Sequence, residues 1–491
     1  MNLKIGFISL LLAFMACSTK QKNYSTIETT TNDSLPNIVL IVVDDLGWKD
    51  VGFMGSDYYE TPNIDKLADQ GMYFTDAYAA AAICSPTRAA IMTGKYPARL
   101  GITDWIRAKF QGGGSEEVVG YEAREPSGDY WEEEDTFLLC PKNPYHLRKG
   151  EITVAEHLKM AGYSTCHIGK WHLGTEGFFP SDQGFQYNIA GCDYGQPPSY
   201  FDPYIYGDWY NDTLWGFPTM ASRDTTEYLT DREAFEAVQF IENHKDSPFY
   251  LNLWHYAVHT PIQAKSDDIA YFTSKKNRIN LVYDTAYAAM IKSVDDAVGA
   301  VVAKLEALEL MENTLILFTS DNGGLKRVTD NTPLRSGKGY PYEGGIRVPF
   351  IAHWTGKIKP NTISNEPIIS TDILPTICEA TETPISTYHT IDGKSLMPTF
   401  TTQTPLEREA LYWHFPHYRK QDIMPYSIVR AGDWKLIKQY DGQRFQLFNL
   451  KEDLSETTDL AQANPTKVNE LDQQLVSWLG QVKAKLPKKA D

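Results

Sequence analysis

The sequence predicts an α/β fold: a large, mostly parallel sheet flanked by helices, followed by a smaller C-terminal α+β subdomain containing an antiparallel sheet. Three observations carry this expectation. Continuous aliphatic runs read as strands buried on both faces, as in parallel sheets. Helical patterns fall between those runs, and alternating strand and helix mark an α/β domain. Beyond about residue 385 the texture changes to short aromatic or β-branched runs separated by turns.

The strands, in order, are "PNIVLIVVDD" from Pro36, "STCHIG" at 164–169, "FYLNLWH" at 249–255 and "TLILFTSDNGG" at 314–324. Between them lie helical patterns at "NIDKLADQ" (63–70), "TVAEHLKMAG" (153–162) and Tyr287 to Leu310. In the C-terminal part, "ALYWHFPHY", "YSIVRAGDWKLIKQY" and "FQLFNLKED" read as strands of the small sheet, and "NPTKVNELDQQLVSWLGQVKAKL" as an amphipathic helix. The polar ends of the long strands matter most, because ligands of open α/β sheets bind outside the carboxyl ends of strands. Asp44 and Asp45 close one run, and Asp321 and Asn322 close another. A lone pair of aspartates is ordinarily a solvated turn or helix cap, so the two pairs gain meaning together.

The chain begins with Lys4, an apolar run from Ile5 to Ala16, and Cys17. That run is too short to span a bilayer and reads as a signal-peptide core. Ala16 before Cys17 suggests a bacterial lipoprotein signal, with Cys17 acylated and attaching the protein to a membrane. Phe14 and Met15 depart from that pattern, and ordinary secretion is the alternative. The expected divisions are a signal peptide at 1–17, a polar tether at 18–35, a main α/β domain at 36–385 and the C-terminal subdomain at 386–491. The expected location is the periplasm or the cell surface.

The formal net charge of −17 argues against a nucleic-acid partner, since such binding needs basic surface. A local cluster of Lys, Arg and His can still reverse the potential inside a pocket. Of the six cysteines, Cys166 and Cys378 fall in a strand and a helix and read as buried thiols. Cys140 and Cys192 lie in loop-like sequence and are the better disulfide candidates.

Cys84 stands in "AAICSPTRAAIMTGKYP" (81–97), between small apolar residues and a proline-containing run. A free cysteine is ordinarily a small core hydrophobe. Here Cys-x-Pro-x-Arg, with the sequence that follows, resembles the type I sulfatase signature. "GYSTCHIGKWHLG" (162–174) resembles the second sulfatase signature. The likeness continues through "IVVDDLGW", "HTP" at His259, "SDNGG", "PLRSGKGYPYEGGIRVP" around Lys338 and "VRAGDWKLI".

The resemblance implies an alkaline-phosphatase-like fold and a sulfatase in which Cys84 is oxidised to Cα-formylglycine by a formylglycine-generating maturation enzyme. One hydroxyl of the hydrated aldehyde attacks sulfur, and deprotonation of the other expels sulfate. Asp44, Asp45, Asp321 and Asn322, with position 84, match the family's metal ligands. Their oxygen donors favour Ca2+, with Mg2+ second, over zinc. Arg88 is expected to hold the modified residue, and Lys170 and Lys338 match sulfate-contacting lysines. His172 maps onto the group that takes the second hydroxyl's proton. His259 maps onto a sulfate-contacting histidine that protonates the leaving oxygen. His255 lines the pocket or serves the core. His414 and His417 reach a sugar from the small subdomain or pack within it. Trp105, Trp131, Tyr200 and Tyr204 are either carbohydrate-stacking rings or ordinary loop packing. An exported hydrolase meets extracellular glycans, so sulfated carbohydrate, algal polysaccharide or glycosaminoglycan, is the expected substrate. The alternatives are a phosphoester or phosphonate monoester hydrolase of the same superfamily, and a non-catalytic glycan-binding lipoprotein.

Overall fold

The aliphatic run Asn37–Val43 forms a strand in which every residue is buried. The computed structural model describes residues 35–108, 129–131, 136–208, 213–223, 226–276, 284–419 and 422–489. The signal segment with Cys17 and the tether lie outside the described residues. Asn37–Val43 pairs in parallel with Phe249–Trp254 on one side and Thr314–Ser320 on the other. The eight-stranded sheet runs in the order 362–364, 72–74, 350–353, 314–320, 37–43, 249–254, 164–169, 187–189. Phe350–His353 is the one strand of this sheet that runs antiparallel to both its neighbours.

Alternation along the central strand explains the layering. Val39, Ile41 and Val43 face one apolar core, which the helices Pro62–Asp69, Leu229–His244 and Thr285–Ala307 close with Ile64, Ile241 and Val294. Ile38, Leu40 and Val42 face the opposite core, closed by Cys84–Thr93, Val154–Met160 and Ile373–Ala380 through Ile91, Leu158 and Leu374. Each such side chain, fully removed from water, contributes about 1.5–3 kcal/mol before entropy is counted. Helix starts are locally encoded: Thr153 and Glu156 form a capping box at Val154–Met160, and the Asp284 carboxylate accepts from the amides of Ala286 and Tyr287.

The C-terminal part forms a four-stranded antiparallel sheet, Leu411–Phe415, Tyr426–Ala431, Trp434–Gln439 and Arg444–Asn449, covered by the helix Pro465–Gln481. Its core, with Ile428, Leu436, Leu475 and Trp478, also takes in Ala82 and Ile83, the residues just before Cys84. Beneath it, Lys435 is fully buried between Glu343 (2.9 Å) and Glu456 (2.8 Å). Leu35–Asp491 form one compact unit.

The disulfide expectation is corrected: among the described residues Cys84, Cys140, Cys166, Cys192 and Cys378 are buried thiols, none in a disulfide. Cys140 sits in the strand Leu138–Pro141, and Cys192 Sγ lies 3.8 Å from the Tyr256 hydroxyl in the main core. Their loop-like flanks are packed inward, so each thiol serves as a small apolar group.

Candidate active site

The strand ends place the reactive groups. Asp44 and Asp45 follow Val43, and Asp321 and Asn322 follow Ser320 on the neighbouring strand. Close backbone approach is required here: a Cβ on Gly323 would lie 1.8 Å from the Gly344 carbonyl oxygen. Cys84 is the first residue of the helix Cys84–Thr93, all of whose residues are buried.

Cys84 Sγ lies 3.6 Å from Asp44 Oδ1, and Lys170 Nζ donates to Asp44 Oδ2 at 2.5 Å. Arg88 Nε donates to Asp321 Oδ2 at 2.8 Å, and its Nη1 donates to the Lys170 carbonyl at 2.8 Å. Asp321 Oδ1 accepts from the Asp45 amide at 3.2 Å. Asp45 takes Lys338 at 2.6 Å and the Asn322 amide at 2.8 Å, with His259 Nε2 3.6 Å away. Three acids, Asp44, Asp45 and Asp321, thus interleave with three bases, Arg88, Lys170 and Lys338, almost wholly out of water.

Asp45 (φ 63°) and His172 (φ 58°) both adopt the left-handed region, which costs of order 1–3 kcal/mol for such residues and is common at functional sites. His172 Nε2 lies 2.7 Å from the Ile106 carbonyl, which only accepts, so Nε2 carries the proton. Nδ1 is buried without a partner and offers its lone pair. A Cβ at Gly195 would fall 2.9 Å from His172 Nε2, so glycine there admits the ring. His259 Nδ1 is likewise fixed by the Thr260 carbonyl at 2.9 Å, which leaves the Nε2 lone pair facing Asp45.

Burial, aided by Lys170, holds His172 well below the ordinary imidazole range. Burial and Lys338 do the same to His259, and both rings are neutral. Burial pushes the Asp44 carboxyl up to about 8, Asp321 adds to the rise, and Lys170 opposes it. Burial also raises Asp45, but Lys338 outweighs it and holds that carboxyl below the usual range. The Cys84 thiol is pushed up to about 11 by burial, so an unmodified Cys84 is a poor thiolate nucleophile.

Asp44, Asp45, Cys84 and His259 each offer one ligand atom, all within 4.8 Å of one another. The donor set fits a hard divalent cation for a further reason: Asn322 Oδ1 is buried with no partner. Asp321 stands one step back, with Oδ2 turned to Arg88.

A cavity of about 190 Å³ reaches Cys84, His172, His259 and Lys338, and is also lined by Trp105, Gly195, Gln196 and Arg419. Gly195, Gln196 and Arg419 lie in no motif singled out from the sequence. Where two readings stood open, packing holds. Tyr200 and Tyr204 are buried, and the Tyr200 hydroxyl donates to the Tyr256 and His259 carbonyls (2.6 and 2.9 Å), bracing the His259 segment rather than stacking on sugar. His414 and His417 are buried against Ser427 and Thr103. His255 is fully buried and paired with Glu233 at 2.6 Å. The Trp131 side chain lies outside the described residues.

Residues 36–383 match the family described as Sulfatase, and residues 337–485 match the C-terminal region of N-sulphoglucosamine sulphohydrolase. A sulfatase of Formosa agariphila is 30% identical over 97% of this chain and 93% of its own length. Human N-acetylgalactosamine-6-sulfatase is 30% identical over 83% of this chain and 73% of its own. The crystal structure of Ps i-CgsB in complex with k-i-k-neocarrahexaose superimposes with a TM-score of 0.74 at 31% identity, covering 91% of this chain and 93% of that one. Matched over nearly its whole length and folded like solved sulfatases, the chain belongs to the sulfatase family, whose members generally use a formylglycine and a divalent metal, and is a sulfate ester hydrolase.

Proposed function

We propose that this sulfatase removes sulfate from a sulfated carbohydrate, using formylglycine at position 84 and Ca2+. The observation that carries the reading is the placement of Cys84 at the mouth of a buried helix, beside Asp44 and below His172 and Lys338, where a thiol is inert. The oligosaccharide in the Ps i-CgsB complex and the amino-sugar sulfate in the human relative's name support a glycan substrate.

In this reading a hydrated aldehyde at position 84 supplies one hydroxyl for attack on sulfur and a second whose deprotonation releases sulfate. Arg88, anchored on Asp321 and on the Lys170 carbonyl, holds the first turn of the helix against the strand ends. Lys170 and Lys338 place positive charge beside the sulfuryl oxygens, which gather charge as the ester breaks. His172 accepts the proton of the second hydroxyl at its free Nδ1. His259 protonates the leaving oxygen, its affinity for a proton rising when an anionic ester lies against it. Asp44, Asp45, Asn322 and, behind them, Asp321 would hold the Ca2+, which when bound supplies Lewis-acid polarisation of a sulfuryl oxygen. The signal segment would export the chain and Cys17 would carry its lipid anchor. Among the described residues, no helix is long and apolar enough to cross a membrane.

The test is the mass of the peptide carrying Cys84 after co-production with a formylglycine-generating enzyme, together with turnover of aryl sulfate, aryl phosphate and sulfated oligosaccharides, with and without chelator. The expected result is loss of sulfur with gain of an aldehyde, and chelator-sensitive turnover that favours sulfate. Full conversion to the aldehyde with no turnover of any sulfate ester, or preferential turnover of aryl phosphate, would sink the proposal.

A further inference from the structure

Next to the cavity that reaches Cys84 lies a larger one of about 480 Å³, within the usual size of small-ligand sites. His259, Lys338 and Arg419 line both, which with His259 as donor to the leaving oxygen puts the shared wall on the leaving-group side. The outer space is ringed by Lys326, Arg327, Lys338 and Arg419, on a chain whose net charge is −17. Lys338 is committed to Asp45. Among the described residues none of the other three is within ion-pair distance of a carboxylate, and Asp104 acts on Arg419 from farther off.

Arg419 is the best defined of the three. Its amide donates to the Ile423 carbonyl at 2.9 Å, which closes a bridge that fixes its backbone after the first strand of the small sheet. Its side chain lies over Gly339, where a Cβ would meet Arg419 Cδ at 3.6 Å and Nε at 3.7 Å. Its Nη1 is buried and has no hydrogen-bond partner. The groups that face it are Lys338, Asp104 and Tyr426. The Asp104 carboxylate instead accepts from the Trp105 amide at 2.8 Å. Across the cavity, Lys326 Nζ sits 5.1 Å over the Tyr340 ring, and the Tyr340 hydroxyl is bonded to Asp422. Arg327 is exposed at the rim. A buried guanidinium nitrogen left unmatched, with two further cations facing the same space, fits an anion supplied by the ligand.

We propose that Arg419, with Arg327 and Lys326, forms a second anion subsite that takes a further sulfate or carboxylate of the glycan whose ester is being cleaved. Resting on the sulfatase reading of the site, this makes the enzyme selective for glycans that carry a second anionic group beside the scissile ester. Arg419 acts as a specificity-determining residue delivered by the small sheet.

Binding is measured by titration calorimetry in calcium buffer on the full chain carrying Cys84→Ala, so that no turnover intervenes. The probes are disaccharides of one backbone bearing one sulfate, two sulfates, or one sulfate and one carboxylate. The doubly charged probes should bind about tenfold more tightly than the singly charged one. Arg419→Gln should bring that ratio close to one, and Arg419→Lys should restore part of it. A preference shown only by the disulfate, or only by the carboxylate, identifies which anion the subsite takes. Equal affinities in the parent, or a preference that survives Arg419→Gln combined with Arg327→Gln in protein with an unchanged melting curve, would overturn the proposal. Failure of the underlying reading shows separately, as absence of sulfate-ester turnover by aldehyde-bearing protein.

Discussion

Replacing Arg88 by Leu keeps an apolar stem in the helix and deletes a fully buried charge. In the parent, Arg88 Nε donates to Asp321 Oδ2 at 2.8 Å, Nη2 stands 2.8 Å from the same oxygen, and Nη1 donates to the Lys170 carbonyl at 2.8 Å. The variant leaves Asp44, Asp45 and Asp321 facing only Lys170 and Lys338. Removing one partner of a buried ion pair costs about 3–5 kcal/mol, because the remaining charge has no water to turn to. At about 2.1 cal/mol/K per residue over roughly 450 residues, that loss lowers the thermal midpoint by about 3–5 °C. The chemistry should suffer more, with kcat on an aryl sulfate down at least about 100-fold, since Arg88 sets both the helix start and Lys170. Scanning calorimetry at one fixed rate in chelator, and steady-state kinetics on aldehyde-bearing protein, read the two effects. Calcium should recover part of the lost midpoint, because the variant's surplus negative charge draws a divalent cation more strongly. A midpoint within about 1 °C of the parent's in chelator would refute the reasoning.

Two further outcomes follow from buried groups outside the site. Lys435→Met strands Glu343 and Glu456 beneath the small sheet and should cost about 3–5 kcal/mol in a calorimetric or urea melt, with Glu456→Gln in the same chain recovering part of it. Burial holds His414 down at about 4 and His417 at about 3, so the unfolded chain takes up protons first as pH falls below about 6.5. Stability should therefore be greatest above that pH and fall by about 1.4 kcal/mol per unit for each such ring on the way down to its folded value. His417→Gln, which can still reach Thr103 Oγ1, should flatten the slope by about one proton in melts between about pH 4.5 and 7; an unchanged slope would refute the assignment.

The central strands were legible because a strand buried on both faces has little freedom of composition: Asn37–Val43, Phe249–Trp254 and Thr314–Ser320 are aliphatic or aromatic almost throughout. The helix Leu229–His244 was not, since Arg232 and Glu233 interrupt its buried face and Glu233 turns inward to His255. Asp44, Asp45, Asp321, Cys84, Lys170 and Lys338 are each carried by a local motif, and parallel register brings those motifs to one end of the sheet. Arg419 and Gly195 left no such trace. One acts through where a separate sheet delivers it, the other through an absent Cβ, and neither property has a local spacing. Cys140 and Cys192 misled for the converse reason, because loop-like sequence here is folded tightly into the body of the protein.

The balance of charge at the site settles how an acidic protein handles an acidic ester. Counted with Asp44 ionised beside Lys170, the carboxylates of Asp44, Asp45 and Asp321 against Arg88, Lys170 and Lys338 leave no formal surplus, and His172 and His259 are neutral beside them. Such a cluster can be buried during folding without an unmatched charge, but it offers an incoming sulfate little net attraction. The missing positive charge is that of a divalent cation, for which Asn322 Oδ1 is already arranged. Metal affinity and anion affinity are then coupled, each raising the other by the same factor. The overall charge of −17 slows the approach of an anionic glycan but does not set the potential where sulfur reacts. There, charges a few ångströms away, screened by protein rather than water, outweigh those on the surface.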